Sequence, residues 1–316
     1  MILDLVRETK QTLLEGVIMK KILLSTLVAS LLITGVNAKE TAAKDATVKQ
    51  VNTIAVNNAT SEAKTNQAAL VQEALNSLKE AHDALVALEK KDAKLATSKL
   101  ESALGKLEVI LAAKDAPKLL PIDNAIVVNE FVGTSKEIET ILNHVRVLLN
   151  KNKIQEARAL MIPLQSEIDI TVVSLPLVTY PDALKLAAKY VHSNELDKAQ
   201  EVLVTALSTF AKVTEVLPIP LLKATDLIVA SSVIAKEDKT RAIAYLDAAS
   251  ESLNVAEKLG YVSKSTTTYK ALHEQIDAVK KEIEGPNKAE KIFAKLKESL
   301  KEFKEKVFSE KNDTNK

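Results

Sequence analysis

Four stretches of the chain carry apolar residues at the spacing of a single helix face: Ala96/Leu100/Ala103/Leu107, Ala157/Met161/Leu164/Ile168, Ala199/Leu203/Ala206/Phe210 and Ala242/Leu246/Ala249/Leu253. Successive steps of four, three and four residues keep each set on one side of an α-helix. The last three sets begin 42 and 43 residues apart, room for two short helices and their connections. The pattern predicts a mostly all-α fold of antiparallel helical hairpins stacked on one another. Small alanines at facing positions let helix axes approach closely, as in tetratricopeptide-like packing. The longer period and the absence of tryptophan separate these units from true tetratricopeptide repeats.

Turn signals place the hairpins. Ser61 opens a long Ala-rich helix to about Glu89, which turns at Lys90-Lys91-Asp92 into a second helix ending near Ala113. Thr134, with Glu137 three residues on, has capping-box spacing and starts a hairpin that turns at Asn150-Lys151-Asn152-Lys153. Pro181 suits the first position of the next, which turns at Ser193-Asn194 and ends before Leu217-Pro218. The fourth turns at Glu237-Asp238 and stops at Gly260, a residue suited to a left-handed cap. Further helices are expected over about 265–284 and 287–309. Between hairpins, Ile126–Val132 and Ile168–Val173 are rich in β-branched residues, and they predict one minor two-stranded β ribbon.

The front of the chain reads differently. From Met19, two lysines precede an apolar run from Ile22 to Ile33 and a small-residue stretch ending at Ala38, the layout of a secretory signal peptide cleaved after Ala38. The run falls short of the roughly 20 residues that span a bilayer, which points to a released periplasmic product. Glu15–Met19 could be encoded by a ribosome-binding sequence placed just before a start codon, so residues 1–18 read as an upstream extension. Residues 39–60 are polar with scattered Val and Ile and are expected to form a flexible or loosely docked segment. Residues 61–316 are expected to form a single elongated helical domain.

Composition narrows the chemistry. Hydrophobic residues make up 47% of the chain but aromatics only 3%, so the core must be aliphatic. A net charge of +1 gives no basic footprint for nucleic acid. The absence of cysteine excludes thiol catalysis, thiolate metal sites and lipidation at cysteine. Six glycines, two of them before Lys39, leave little material for a phosphate-cradling loop.

His82, His144, His192 and His273 are dispersed, with none at metal-ligand spacing, and no metal or cofactor is expected. His144 and His192, in the first helices of adjacent hairpins, are candidate pH sensors; the bland alternative is a pair of solvated histidines. Glu167 and Asp169 flank Ile168 and point to one side of an extended segment, as a catalytic pair would, though a solvated strand face is the simpler account of them. Ser174 has no visible base and no nucleophile elbow around it. Pro176, Tyr180, Pro181, Pro218 and Pro220 are expected to terminate equivalent helices at one end of successive hairpins. That would make them a rim for an extended peptide, or simply helix stops. The C-terminal helix holds eight Lys and five acidic residues between Lys288 and Lys311 beside an apolar stripe, which suits docking on the bundle or, alternatively, on an anionic membrane.

Three segments, Ser174–Leu184, Leu217–Ala224 and Ala256–Tyr261, resemble the YfdX family of bacterial envelope proteins, over most of residues 61–305. The resemblance implies a helical, oligomerising protein linked to stress responses, and it brings no catalytic residues. Together these readings lead us to expect a non-enzymatic periplasmic protein, chaperone-like or protein-binding, that self-associates and engages other envelope proteins or peptides. A small-ligand-binding envelope sensor is the alternative.

Overall fold

The computed structural model describes residues 46–67, 71–113, 116–263, 267–285 and 289–313. The expected signal segment and the residues before it lie outside this range.

Among the described residues four helical hairpins recur, and the turns of the first three share the same local chemistry. The first is α2 (Gln72–Glu89) with α3 (Ala93–Leu111), preceded by α1 (Val48–Thr65); the second is α4 (Ser135–Asn150) with α5 (Ile154–Met161). The third is α6 (Tyr180–His192) with α7 (Leu196–Ser208), and the fourth is α8 (Ile219–Ile234) with α9 (Lys239–Lys258). At the first three turns Lys91, Asn152 and Asn194 take φ of 58°, 56° and 57°. The following amide reaches back five residues in each: Asp92 to Ala87, Lys153 to Leu148 and Glu195 to Tyr190, all 2.9 Å. These are Schellman motifs, which satisfy the last carbonyls of one helix while reversing the chain. Gly260, φ 81°, ends α9 the same way through Tyr261 to Ala256. Thr134 and Glu137 form the expected capping box.

Among the described residues three strands separate the hairpins: β1 (Leu119–Asn129), β2 (Glu167–Pro176) and β3 (Ala211–Pro218), antiparallel in the order β1-β2-β3. The two-stranded ribbon expected from sequence is thus a three-stranded sheet. Antiparallel pairing decides where the hairpins go. Leu119, Pro176 and Ala211 share one end of the sheet, and Asn129, Glu167 and Pro218 share the other. Each strand reverses direction, so hairpins one and three meet at the first end and hairpins two and four at the second. The contacts follow: α3 packs on α6 and α2 on α7, while α4 packs on α9. The hairpins do not stack in chain order as the spacing suggested; each skips its neighbour.

Two main cores result. One joins α2, α3, α6 and α7 around Ala81, Leu100, Leu107, Leu184 and Leu203, with Leu120 and Leu175 entering from the sheet. The other joins α8 and α9 with α10 (Thr267–Glu284) and α11 (Ala289–Asp313) around Leu227, Tyr245, Leu253, Ile276 and Leu300. Buried serines tie hairpins one and four internally: Ser77 Oγ donates to the Ala103 carbonyl and Ser231 Oγ to that of Ala242, both at 2.8 Å. The alanine faces behave as expected in hairpins one and four, where all eight members of the two sets are fully buried. In hairpin two the register breaks: Met161 is 50% exposed and Ile168 belongs to β2. In hairpin three, Phe210 lies past the end of α7 and is exposed.

Of the segment expected to be loosely docked, residues 39–45 lie outside the described residues, and residues 46–60 are firmly docked. Helix α1 begins at Val48, with Thr47 and Gln50 as a capping box, and buries Val51, Ala55, Val56, Ala59 and Ala63. Its first half joins the second core, and its last half packs with Ile168, Ile170 and Leu217 on one face of the sheet. The single helix expected over 61–89 is two helices, interrupted after Thr65 and resuming at Gln72.

Candidate functional site

The strands bring to one sheet the residues that the sequence left scattered. On the face covered by α1 lie Ile168, Ile170, Val172 and Ser174 of β2, all buried. The opposite face carries Glu167, Asp169, Thr171 and Val173, each half-buried. There the Thr171 and Thr214 hydroxyls meet at 2.9 Å across the β2–β3 ladder.

Glu167 and Asp169 do share a face, as the period of a strand requires. Across the ladders Asp169 has Val127 on one side and Val216 on the other, so its Oδ1 is enclosed without a hydrogen-bond partner. Burial first, and then the neighbouring Glu167 charge, push its carboxyl above the ordinary value. At the same end the Ser166 amide donates to Tyr261 Oη at 2.9 Å, anchoring the close of hairpin four to the start of β2. Among the described residues no group of acidic and histidine side chains could hold a metal ion.

Glu215 is the carboxylate that sequence reading missed. It sits opposite Ile170 on the α1-covered face and is 3% exposed, with Oε2 unpartnered. Burial pushes its carboxyl up to about 7. The alternation Val213-Thr214-Glu215-Val216-Leu217 was the available signal, and it was hidden because Phe210 fitted a helix register.

The five Pro/Tyr residues do not form one rim. Pro176 ends β2 and leads to Tyr180 and Pro181 at the start of α6, whereas Pro218 ends β3 at the opposite end of the sheet and leads to Pro220 in the first turn of α8. They mark strand-to-helix junctions rather than helix ends. Tyr180, Pro181, Pro218 and Pro220 are also buried, leaving only Pro176 partly accessible. Burial raises the Tyr180 hydroxyl to about 12.

His144 and His192 are both exposed, on α4 and α6, which belong to hairpins at opposite ends of the sheet. The histidine with a built environment is His273. Its Nδ1 lies 2.9 Å from Ser250 Oγ, and its ring meets Tyr269 edge-on at 4.7 Å. Its Nε2 is buried without a partner, and burial holds the imidazole below its ordinary value against the opposing pull of Asp277. Ser174 is buried on the core face of β2, opposite Ala211. The stripe of α11 is turned inward, with Phe293, Leu296, Leu300, Phe303 and Val307 all buried in the second core. Among the described residues no helix is long and apolar enough to cross a membrane.

What the surface does show is uneven. Among the described residues, sixteen large apolar side chains are more than a third exposed, and all lie between Leu95 and Val213. Ile154, Met161 and Ile162 in and after α5 are 61%, 50% and 61% exposed, Val178 is 66%, and Val127 and Val128 on β1 are 49% and 40%. The described residues of 217–307, which build the second core, contribute none of them.

Comparison with known families maps onto this division. Residues 74–216 match the family model described as YfdX protein. The YfdX match thus spans hairpins one to three and most of the sheet, and stops before α8; the segments Leu217–Ala224 and Ala256–Tyr261 fall beyond it. Of solved structures, an orthorhombic crystal form of Salmonella Typhi YfdX is matched at 11% identity and a TM-score of 0.33, over 48% of this chain and 93% of that one. No curated protein matches the sequence.

Proposed function

We propose that this is a non-enzymatic protein-binding module of the bacterial periplasm, chaperone-like in action, which self-associates and holds exposed segments of other envelope proteins under stress. The observation that carries the reading is the confinement of large exposed apolar side chains among the described residues to 95–213, all inside the YfdX match. Clustered apolar surface marks contact with other polypeptides, whereas singly scattered residues do not. Hairpin two concentrates it: Val147 and Leu149 on α4 and Ile154, Met161 and Ile162 in and after α5 surround a core of only Val145, Leu148 and Ala157 with Ile141 and Leu160. Light scattering of an aggregating periplasmic client, at pH 4 and pH 7, tests the reading. Suppression by the purified protein at up to equimolar ratio supports it, and its absence at both pH values sinks it.

A further inference from the structure

We infer that the outer edge of β1, at Ala125–Asn129, receives an extended segment of a non-native partner polypeptide as a fourth strand; this rests on the protein-binding reading above. An edge strand offers a row of amide and carbonyl groups to any incoming strand unless lysine, proline, a bulge or a covering element blunts it. The sheet has two edges. The β3 edge is blunted by Lys212 and by Pro218, which lie in the strand. The first half of β1 is closed as well. Pro121 stands there beside a bulge before Asp123, and the Pro121 carbonyl accepts from the Val71 amide at 2.9 Å.

The second half of β1 holds no lysine, proline or bulge, and among the described residues no strand pairs with its outer side. From Asn124 to Asn129 the sequence is Asn-Ala-Ile-Val-Val-Asn, without charge or proline. Its direction follows from one bond. The Ile219 amide donates to the Ser166 carbonyl at 2.9 Å, so the even-numbered residues of β2 turn their backbone groups to β3, and Asn124, paired with Val172, turns its own away from β2. Strand alternation sends the amides and carbonyls of Ile126 and Val128 the same way. Val127 and Val128 lie on opposite faces, so a strand added here gains apolar contact above and below.

The flanks define the partner. Asp123 and Glu130 bound the window, and Glu130 is shared with Lys223 at 2.6 Å, leaving Asp123 the stronger discriminator. An apolar, β-branched run of about five residues with Lys or Arg at its ends fits, and the same run with acidic ends is disfavoured. Unfolded chains supply such segments, because gatekeeper charges commonly flank their aggregation-prone strands.

The test uses Val128→Pro. The Val128 amide points outward, so proline leaves the β1–β2 ladder whole while its ring obstructs an added strand. Val128→Lys is the second variant, which alters no backbone group, and Val132→Pro, outside the strand and 88% exposed in the parent, is the control. Fluorescence anisotropy reads binding of a labelled Lys-Val-Thr-Val-Thr-Val-Lys peptide and of its Glu-ended counterpart. The expected result is binding of the Lys-ended peptide by the parent and by Val132→Pro, at least tenfold weaker binding by both Val128 variants, and weaker binding of the Glu-ended peptide throughout. Failure of the parent to bind, or equal binding by Val128→Lys, overturns the inference. So does sedimentation showing a parent dimer that both Val128 variants dissociate, since a second copy then occupies the edge. Client light scattering separates the two readings. Equal suppression by parent and variants removes the edge but leaves the chaperone-like function, whereas no suppression by the parent removes the function itself.

Discussion

Replacing Glu215 by glutamine should stabilise the protein at pH 8 and do little comparable at pH 4.5. The carboxyl is 3% exposed, has an unpartnered oxygen, and is held at about 7 against an ordinary 4.5. A folded value above the unfolded one means that the folded state prefers the proton. Below pH 4.5 both states hold it and the group costs nothing through ionisation. As pH rises through 7 the folded state must surrender it, and the penalty reaches its full size above that. At 1.36 kcal/mol for each tenfold change in proton affinity, the penalty amounts to about 3 kcal/mol. Glutamine removes the ionisation but leaves an amide in the same apolar place, a cost that is the same at both pH values. The difference between pH 8 and pH 4.5 therefore isolates the carboxylate. Urea unfolding followed by far-UV circular dichroism should show the variant gaining about 3 kcal/mol more over the parent at pH 8 than at pH 4.5. An equal gain or loss at the two values would refute the argument, because Glu215 would then carry no folded-state proton preference.

Two further predictions concern the backbone and the docking of α1. Lys91→Gly should raise stability by about 0.5–1 kcal/mol, because φ of 58° costs a lysine what it does not cost glycine. The ion pair it forfeits with Asp197 joins two exposed side chains and contributes little, so a lower unfolding midpoint for the variant would contradict this. Tyr245→Phe removes the hydroxyl that donates to the Ala46 carbonyl and leaves a buried acceptor unmatched, which should cost about 1–3 kcal/mol. Faster amide exchange confined to α1 and its contacts would locate the loss, and unchanged exchange there would count against the assignment.

Local chemistry was legible and long-range order was not. The turns at Lys91, Asn152 and Asn194, the capping box at Thr134 and the stop at Gly260 follow from residues whose preferences act within a few positions. Strands β1 and β2 were visible in part through their β-branched runs. Strand β3 escaped because Lys212 and Glu215 interrupt its apolar alternation and Phe210 completed a helical one. Without the third strand, nothing in the spacing could reveal that hairpins meet in alternate pairs, or that Pro176 and Pro218 lie at opposite ends of the sheet. Glu167 and Asp169 could be placed on a common face from period alone, while Glu215 and His273 owe their unusual surroundings to partners far away in sequence.

The alternation of hairpins about the sheet constrains how such a chain can lengthen. In a solenoid, duplication of one repeat adds a layer and leaves every other contact in place. Here a single duplicated hairpin and strand would reverse the direction of each strand that follows, exchanging the ends at which the later hairpins emerge. Hairpin four would be carried away from α4 and towards α2 and α3, which already pack on α6 and α7. Two units inserted together restore the original direction. Gene duplication can therefore extend this architecture by even numbers of hairpins only, and an odd insertion must be met by a new packing at both ends of the sheet.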